Sequence, residues 1–231
     1  MPTTYALIPG AGGEAWYWHR VAPLLTDRGA EVVVVGLPFD DSADLTRHAE
    51  IVSDELTGVT GPVILVSQSM GAFIAPMVAE RRPAALIVLV NPLVPTPGES
   101  VGQWWVATGQ EVAMVAHFDQ IALGRNEFDM FEDFFHDVPE PVRQEALRRP
   151  PPAMSDTPFE QPWPLHRWPD VPTRVIAGSD DRLLPLEFQR RVTRERLGLD
   201  VDVMGGGHLV ALSRPDELVD LLESYRTEAG L

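Results

Sequence analysis

The chain contains neither cysteine nor lysine among its 231 residues. The first absence rules out disulfides, thiolate metal sites and a cysteine nucleophile. The second leaves arginine as the source of all 18 basic side chains. A phosphate-loop lysine, a Schiff-base lysine and a Ser-x-x-Lys pair are therefore excluded. Positive charge is scarce against a formal net charge of −16. Nucleic-acid binding needs basic patches that neutralise phosphates, so no nucleic-acid partner is expected. The basic stretch RRVTRER at 190–196 has the spacing of a solvated helix face. No apolar run approaches the ~20 residues of a membrane span, and MPTTYALIPG lacks the charged start of a signal peptide. The expectation is a cytoplasmic protein with no membrane partner. The histidines form no ligand-like cluster, so neither a metal nor another cofactor is expected.

A chain of this length can bury roughly 70% of its unfolded surface and needs no covalent staples. Apolar runs rich in Val, Ile and Leu stand at 4–8, 31–36, 62–66 and 85–90. Their length and continuity suit strands buried on both faces of a parallel sheet. Helix-like patterns near 16–28, 43–58 and 70–82 separate them, with Gly29 a candidate C-cap and Ser42 or Asp44 candidate N-caps. This is an α/β chain with a right-handed wound sheet. The alternation then breaks. Residues 93–170 are rich in proline and aromatics and are read as a mostly helical insertion, too long for an ordinary loop. Strand and helix patterns return at 173–178, 186–197, 201–204 and 214–228.

Ligands in wound sheets bind beyond the C-terminal strand ends, so the residues just past the strands are the candidates. Ser67-Gln68-Ser69-Met70-Gly71 follows the third apolar run. It is a G-x-S-x-G elbow with serine in place of the first glycine. In such a turn Ser69 would project above the sheet, and the Met70 amide at a helix N-terminus would face a developing oxyanion. The competing reading makes either serine a helix N-cap. Gly10-Ala11-Gly12-Gly13 follows the first run. It fits a dinucleotide fingerprint, although the acid that pattern wants comes late, at Asp40. It equally fits an oxyanion loop offering chiefly the Ala11 amide, and that use is favoured. Gly178-Ser179-Asp180-Asp181 and Gly205-Gly206-Gly207-His208 follow the last two runs. A serine needs a histidine base, and the base needs an acid that fixes its tautomer. The three glycines are expected to let the loop swing the His208 ring over the elbow.

The stretches LIPGAGGEAWYWHRVAPLL, SDDRLLPLEFQ and GGGHLVALSRPDEL, with the elbow, carry a family resemblance. Over nearly its full length the chain resembles an α/β-hydrolase, of the subgroup of plant methylesterases, salicylate-binding esterases and hydroxynitrile lyases. The resemblance implies a mainly parallel six-stranded sheet with helices on both faces and a helical cap between the fourth and fifth strands. The core would be 1–92 and 171–231, the cap 93–170. It implies a triad of Ser69, Asp181 and His208, since the acid of that subgroup lies eight residues before the glutamine that is Gln189 here. Oxyanion donors would be the amides of Ala11 and Met70. Pro9 and Ser67 replace a histidine and a glycine of the family pattern, and neither removes a catalytic group. Leu209 and Gly10 stand where the lyases carry lysine and threonine, so cyanide chemistry is not expected. The expected activity is hydrolysis of a small or medium apolar ester through an acyl-enzyme, with thioester, lactone or C–C bond cleavage and plain small-molecule binding as alternatives. Trp104, Trp105, Phe131, Phe134 and Phe135 are the expected pocket lining. A homodimer is allowed for.

Overall fold

In the strands, successive side chains point to opposite faces, so a run of apolar residues needs cover on both. The computed structural model, which describes residues 2–151 and 154–231, supplies that cover. The strands are β1 (Thr4–Ile8), β2 (Glu31–Val34), β3 (Val63–Gln68), β4 (Leu86–Val90), β5 (Thr173–Gly178) and β6 (Asp202–Met204). They form one sheet of order β2-β1-β3-β4-β5-β6, and every neighbouring pair is parallel. Every residue of β1, β3 and β4 is buried.

Alternate residues feed two cores. Ala6, Ile8, Leu65, Ile87 and Leu89 face one apolar cluster, whereas Tyr5, Leu7, Ile64, Val66, Leu86 and Val88 face the other. After a short 3-10 turn (Ala15–Trp18) comes α1 (Val21–Asp27), and α2 (Leu45–Glu55) and α3 (Gly71–Arg81) follow. The expected single helix over 16–28 is broken at His19 because its ring and its amide both engage the Trp16 carbonyl, a local bond that competes with helix propagation. Asp44 caps α2, accepting from the Arg47 amide at 2.8 Å.

Between β4 and β5 lie α4 (Val101–Thr108), α5 (Gln110–Gln120), α6 (Met130–Phe135), α7 (Glu140–Arg148) and α8 (Thr157–Glu160). Ser100 and Gln103 form a capping box at the start of α4, satisfying two helix-end donors reciprocally. Both ends of this insertion are embedded in the first core. Trp104 is fully buried there, and Trp163 donates its indole N–H to the Phe73 carbonyl at 2.9 Å. After β5 come α9 (Leu186–Leu197), α10 (Val210–Ser213) and α11 (Pro215–Glu228). Helix α9 packs Phe188 and Val192 on the first core, while α1 and α11 close the second with Val21, Leu25, Leu218 and Leu222. Of the basic stretch on α9, Arg190 pairs with Glu187 and Arg191 with Glu195 on the helix, Arg194 pairs with Asp200 beyond it, and Arg196 turns inward to Glu99. Among the described residues no helix is long and apolar enough to cross a membrane.

Candidate active site

Strand β3 ends at Gln68, and Ser69 turns the chain with φ 53°. A non-glycine residue in that left-handed region costs roughly 1–3 kcal/mol and persists only where its surroundings impose it. Here they do. The Ser69 amide donates to Val90, and the Ser69 carbonyl accepts from Ala72 and Leu93. Helix α3 starts two residues later behind Met70, which is its N-cap and gives no side-chain cap bond. Neither serine caps the helix, which removes the N-cap reading. Ser67 is fully buried, its hydroxyl without a hydrogen-bond partner, while Ser69 keeps 8% of its surface. The small residues are steric requirements. A Cβ on Gly71 would stand 2.9 Å from the Pro9 carbonyl and 3.1 Å from the Ser67 Cβ.

The glycine loop after β1 lies against this turn. A Cβ on Gly10 would meet Gln68 Oε1 at 2.3 Å and the Ser69 Cβ at 3.0 Å, and one on Gly13 would meet the Leu37 carbonyl at 2.0 Å. Gly12 and Gly13 both have positive φ, and Gly13 N–H donates to the Gly10 carbonyl. These glycines thus let the protein's own backbones approach one another, and the loop opens into a 3-10 turn rather than the long helix of a dinucleotide site. Exposed Ala11 follows Gly10 beside Ser69, and Met70 stands at the start of α3, where helix amides lack intrahelical partners.

On the far side of the edge, His208 Nδ1 lies 2.8 Å from Asp181 Oδ2, with both side chains buried. A carboxylate oxygen accepts, so Nδ1 carries the proton and Nε2 is left free to receive one. The other oxygen, Oδ1, accepts the amides of Leu183 and Leu184 at 2.9 Å each. Gln189 on α9 donates to the Leu184 carbonyl at 2.7 Å, with longer approaches to Asn91 Oδ1 and Asp181 Oδ2. Asp180 is exposed and turns away, taking the Gly206 amide and the Ser179 hydroxyl.

Two polar residues that the sequence reading did not single out hold the histidine loop. Asn91, at φ 45° after β4, donates to the carbonyls of Gly207 and His208 and accepts from the Gly178 amide. Gln68 reaches the His208 carbonyl at 3.5 Å. The signal for Asn91 was a polar residue directly after a wholly apolar strand. His117 on α5 lies within electrostatic reach of Asp181 and Arg182; burial lowers its pKa more than Asp181 raises it.

The aromatics divide. Phe134 sets its ring 5.2 Å from the His208 imidazole and is itself met edge-on by Phe128. Trp104 packs edge-on against Trp105 and Phe188, its indole donating to the Val94 carbonyl. Phe135 leans on the second core, and Phe131 is 53% exposed. The glycines before His208 also differ from expectation. A Cβ on Gly178 would stand 2.5 Å from the Gly206 carbonyl and 2.6 Å from that of Gly207. Within the loop, Gly206 has φ 110° and a Cβ on Gly207 would stand 2.6 Å from His136 Nε2, whereas one on Gly205 would meet nothing closer than 3.7 Å.

Solved structures share this fold over almost the whole chain. A pyrethroid hydrolase from Sphingobium faniae is 23% identical with a TM-score of 0.75, covering 98% of each chain. Polyneuridine aldehyde esterase is 18% identical with a TM-score of 0.76, covering 97% of this chain and 99% of its own. A methylesterase from Arabidopsis is 16% identical with a TM-score of 0.75 over the same shares. Norfluorocurarine synthase 1 from Strychnos nux-vomica is 30% identical over 96 residues, a match spanning 37% of this chain and 36% of that protein. The alpha/beta hydrolase family pattern matches residues 6–221, and the chain belongs to that family.

Proposed function

We propose that the protein is a serine carboxylesterase acting on small or medium apolar esters. The observation that carries this reading is the buried Asp181–His208 hydrogen bond on the same sheet edge as a serine held at φ 53°. In the proposed cycle Ser69 Oγ attacks the ester carbonyl while His208 Nε2 takes its proton. Asp181 holds the imidazole in the tautomer that permits this and stabilises the imidazolium. The amides of Ala11 and Met70 receive the oxyanion, where preorganised amide dipoles meet the developing charge. His208 then protonates the departing alcohol. Water, deprotonated by the same nitrogen, hydrolyses the acyl-Ser69 ester and restores the enzyme. The ester chemistry in the names of the methylesterase and polyneuridine aldehyde esterase, and the hydrolysis in that of the pyrethroid hydrolase, favour the same class. An apolar acyl or alcohol group would rest near Phe134, the aromatic beside His208. The test is incubation with a fluorophosphonate probe and a panel of p-nitrophenyl esters. The probe is expected on Ser69 by mass spectrometry, and labelling elsewhere with no ester turnover would defeat the reading.

A further inference from the structure

The loop that carries His208 is pressed from above as well as from below. A Cβ on Gly207 would stand 2.6 Å from His136 Nε2 and 3.0 Å from Asp137 Oδ1, and one on Gly206 would stand 3.0 Å from Asp137 Oδ2. His136 and Asp137 come from the junction of α6 and α7. The contact is bonded: the Gly207 amide donates to Asp137 Oδ2 at 2.8 Å. Four residues earlier, fully buried Asp133 pairs with Arg125 at 2.5 Å and with Arg182 at 3.4 Å. Arg182 is the residue after Asp181 and also approaches the Glu132 carbonyl at 3.4 Å. Between the two aspartates, Phe134 lies against the His208 ring. One five-residue stretch thus touches the neighbour of the histidine, the histidine ring and the neighbour of the acid.

We propose that residues 133–137 of the insertion are a brace that positions the Asp181–His208 pair, with Asp137 as its main positioning residue. The proposal rests on the esterase reading above. Its physical basis is the peptide chemistry at Gly207. Asn91 takes the Gly207 carbonyl from the core side, and Asp137 takes the Gly207 amide from the insertion side. Glycine has the freest backbone of any residue, and Gly206 and Gly207 come directly before the imidazole. Fixing both polar groups of Gly207 removes that freedom where it would blur the ring. Truncating Asp137 leaves the amide without its acceptor and restores the freedom. A displacement of about 1 Å at a catalytic group lowers rate by about 10²-fold. Asparagine at 137 keeps an acceptor oxygen at the same reach.

The test uses the full chain, p-nitrophenyl acetate kinetics and the proton NMR signal of the His208 Nδ1–H, assigned by its loss in His208→Gln. Asp137→Ala is expected to lower kcat by roughly 10- to 100-fold with KM within about threefold, and to shift or broaden that signal. Asp137→Asn is expected to recover most of kcat and the wild-type signal. A purely structural role would change thermal stability and leave the His208 signal in place. Asp137→Ala with unchanged kcat and signal, or an Asp137→Asn as impaired as the alanine variant, overturns the brace. Should Asp137→Ala not fold, Arg182→Gln loosens the other end. A shifted His208 signal then supports the brace, and an unmoved one overturns it. Ser69→Ala separates the two readings. If ester turnover survives it, Ser69 is not the nucleophile and the serine-esterase mechanism fails, and the NMR signal alone decides the brace.

Discussion

The wound core and the outer part of the insertion are held by different forces. In the core, β1, β3 and β4 are buried at every residue and alternate between two apolar clusters. In the insertion, α7 buries no residue and the buried residue of α6 is an aspartate. Seven of the eight large apolar residues that stand exposed among the described ones, from Val106 to Met154, also lie there. Phe135, Val138 and Val142 tie α6, α7 and their junction to the second core, and the remaining ties are polar. Asp133 pairs with two arginines, Glu145 accepts the Trp16 indole N–H, and Arg149 joins Glu14 while covering the Trp16 ring. Burial is non-directional and strong in sum, whereas exposed ion pairs are weak and geometrically selective. The core therefore carries stability, and the insertion carries placement.

That division predicts an ordered set of effects. Ser69→Ala should lower esterase kcat by roughly 10⁴-fold or more while the fold survives, because the nucleophile is lost and the packing is not. Circular dichroism beside ester kinetics checks both halves. Asp181→Asn should follow at roughly 10³ to 10⁴ in kcat by favouring the wrong imidazole tautomer. Asp180→Asn should change kcat far less, since Asp180 serves the loop through Gly206 and Ser179. The opposite ranking in the same assay would move the acid by one residue.

Stability should divide along the same line. Leu222→Ala, at a fully buried site of α11, should cost about 2–5 kcal/mol. Phe131→Ala, at a site 53% exposed, should stay within about 0.5 kcal/mol. Equal losses in urea titrations of the two variants would erase the distinction. The last effect, at Arg149→Ala, is local. Its pair with Glu14 is partly exposed on both sides, and removing it should change global stability by less than about 1 kcal/mol. Hydrogen exchange should still quicken in α7, and a silent α7 would show that the arginine holds nothing in place.

The sequence was most legible where a residue's role depends on near neighbours. Apolar runs located the strands, most plainly β1, β3 and β4, which are buried along their whole length. Asp44 could be placed as a cap because it bonds three residues ahead. The eight-residue step from Asp181 to Gln189, which the family resemblance supplied, named the acid, and the two side chains lie together in the interior. It was least legible where the partner is remote. Asn91 meets the His208 loop across more than a hundred residues and Asp137 meets Gly207 across 70, and no local pattern marks such a pair. The glycines before His208 illustrate the limit. Composition announced freedom, but a glycine also permits a close approach, and only the neighbouring backbones tell which use applies. Trp104 is similar, since helical spacing names the face a side chain shares but not what lies opposite.

The strand order has a consequence for synthesis. β4 pairs on one side with β3, which precedes it closely, and on the other with β5. The whole of 91–172 must leave the ribosome before β5 follows. Until then the growing sheet ends in β4, whose sequence is Leu-Ile-Val-Leu-Val. A bare, wholly apolar edge is the kind of surface on which nascent chains pair with one another. Loop closure over a long segment adds little to the equilibrium, since doubling a loop costs only about 0.6 kcal/mol. The insertion's burden is thus one of timing: it prolongs the interval in which the β4 edge waits for its second neighbour.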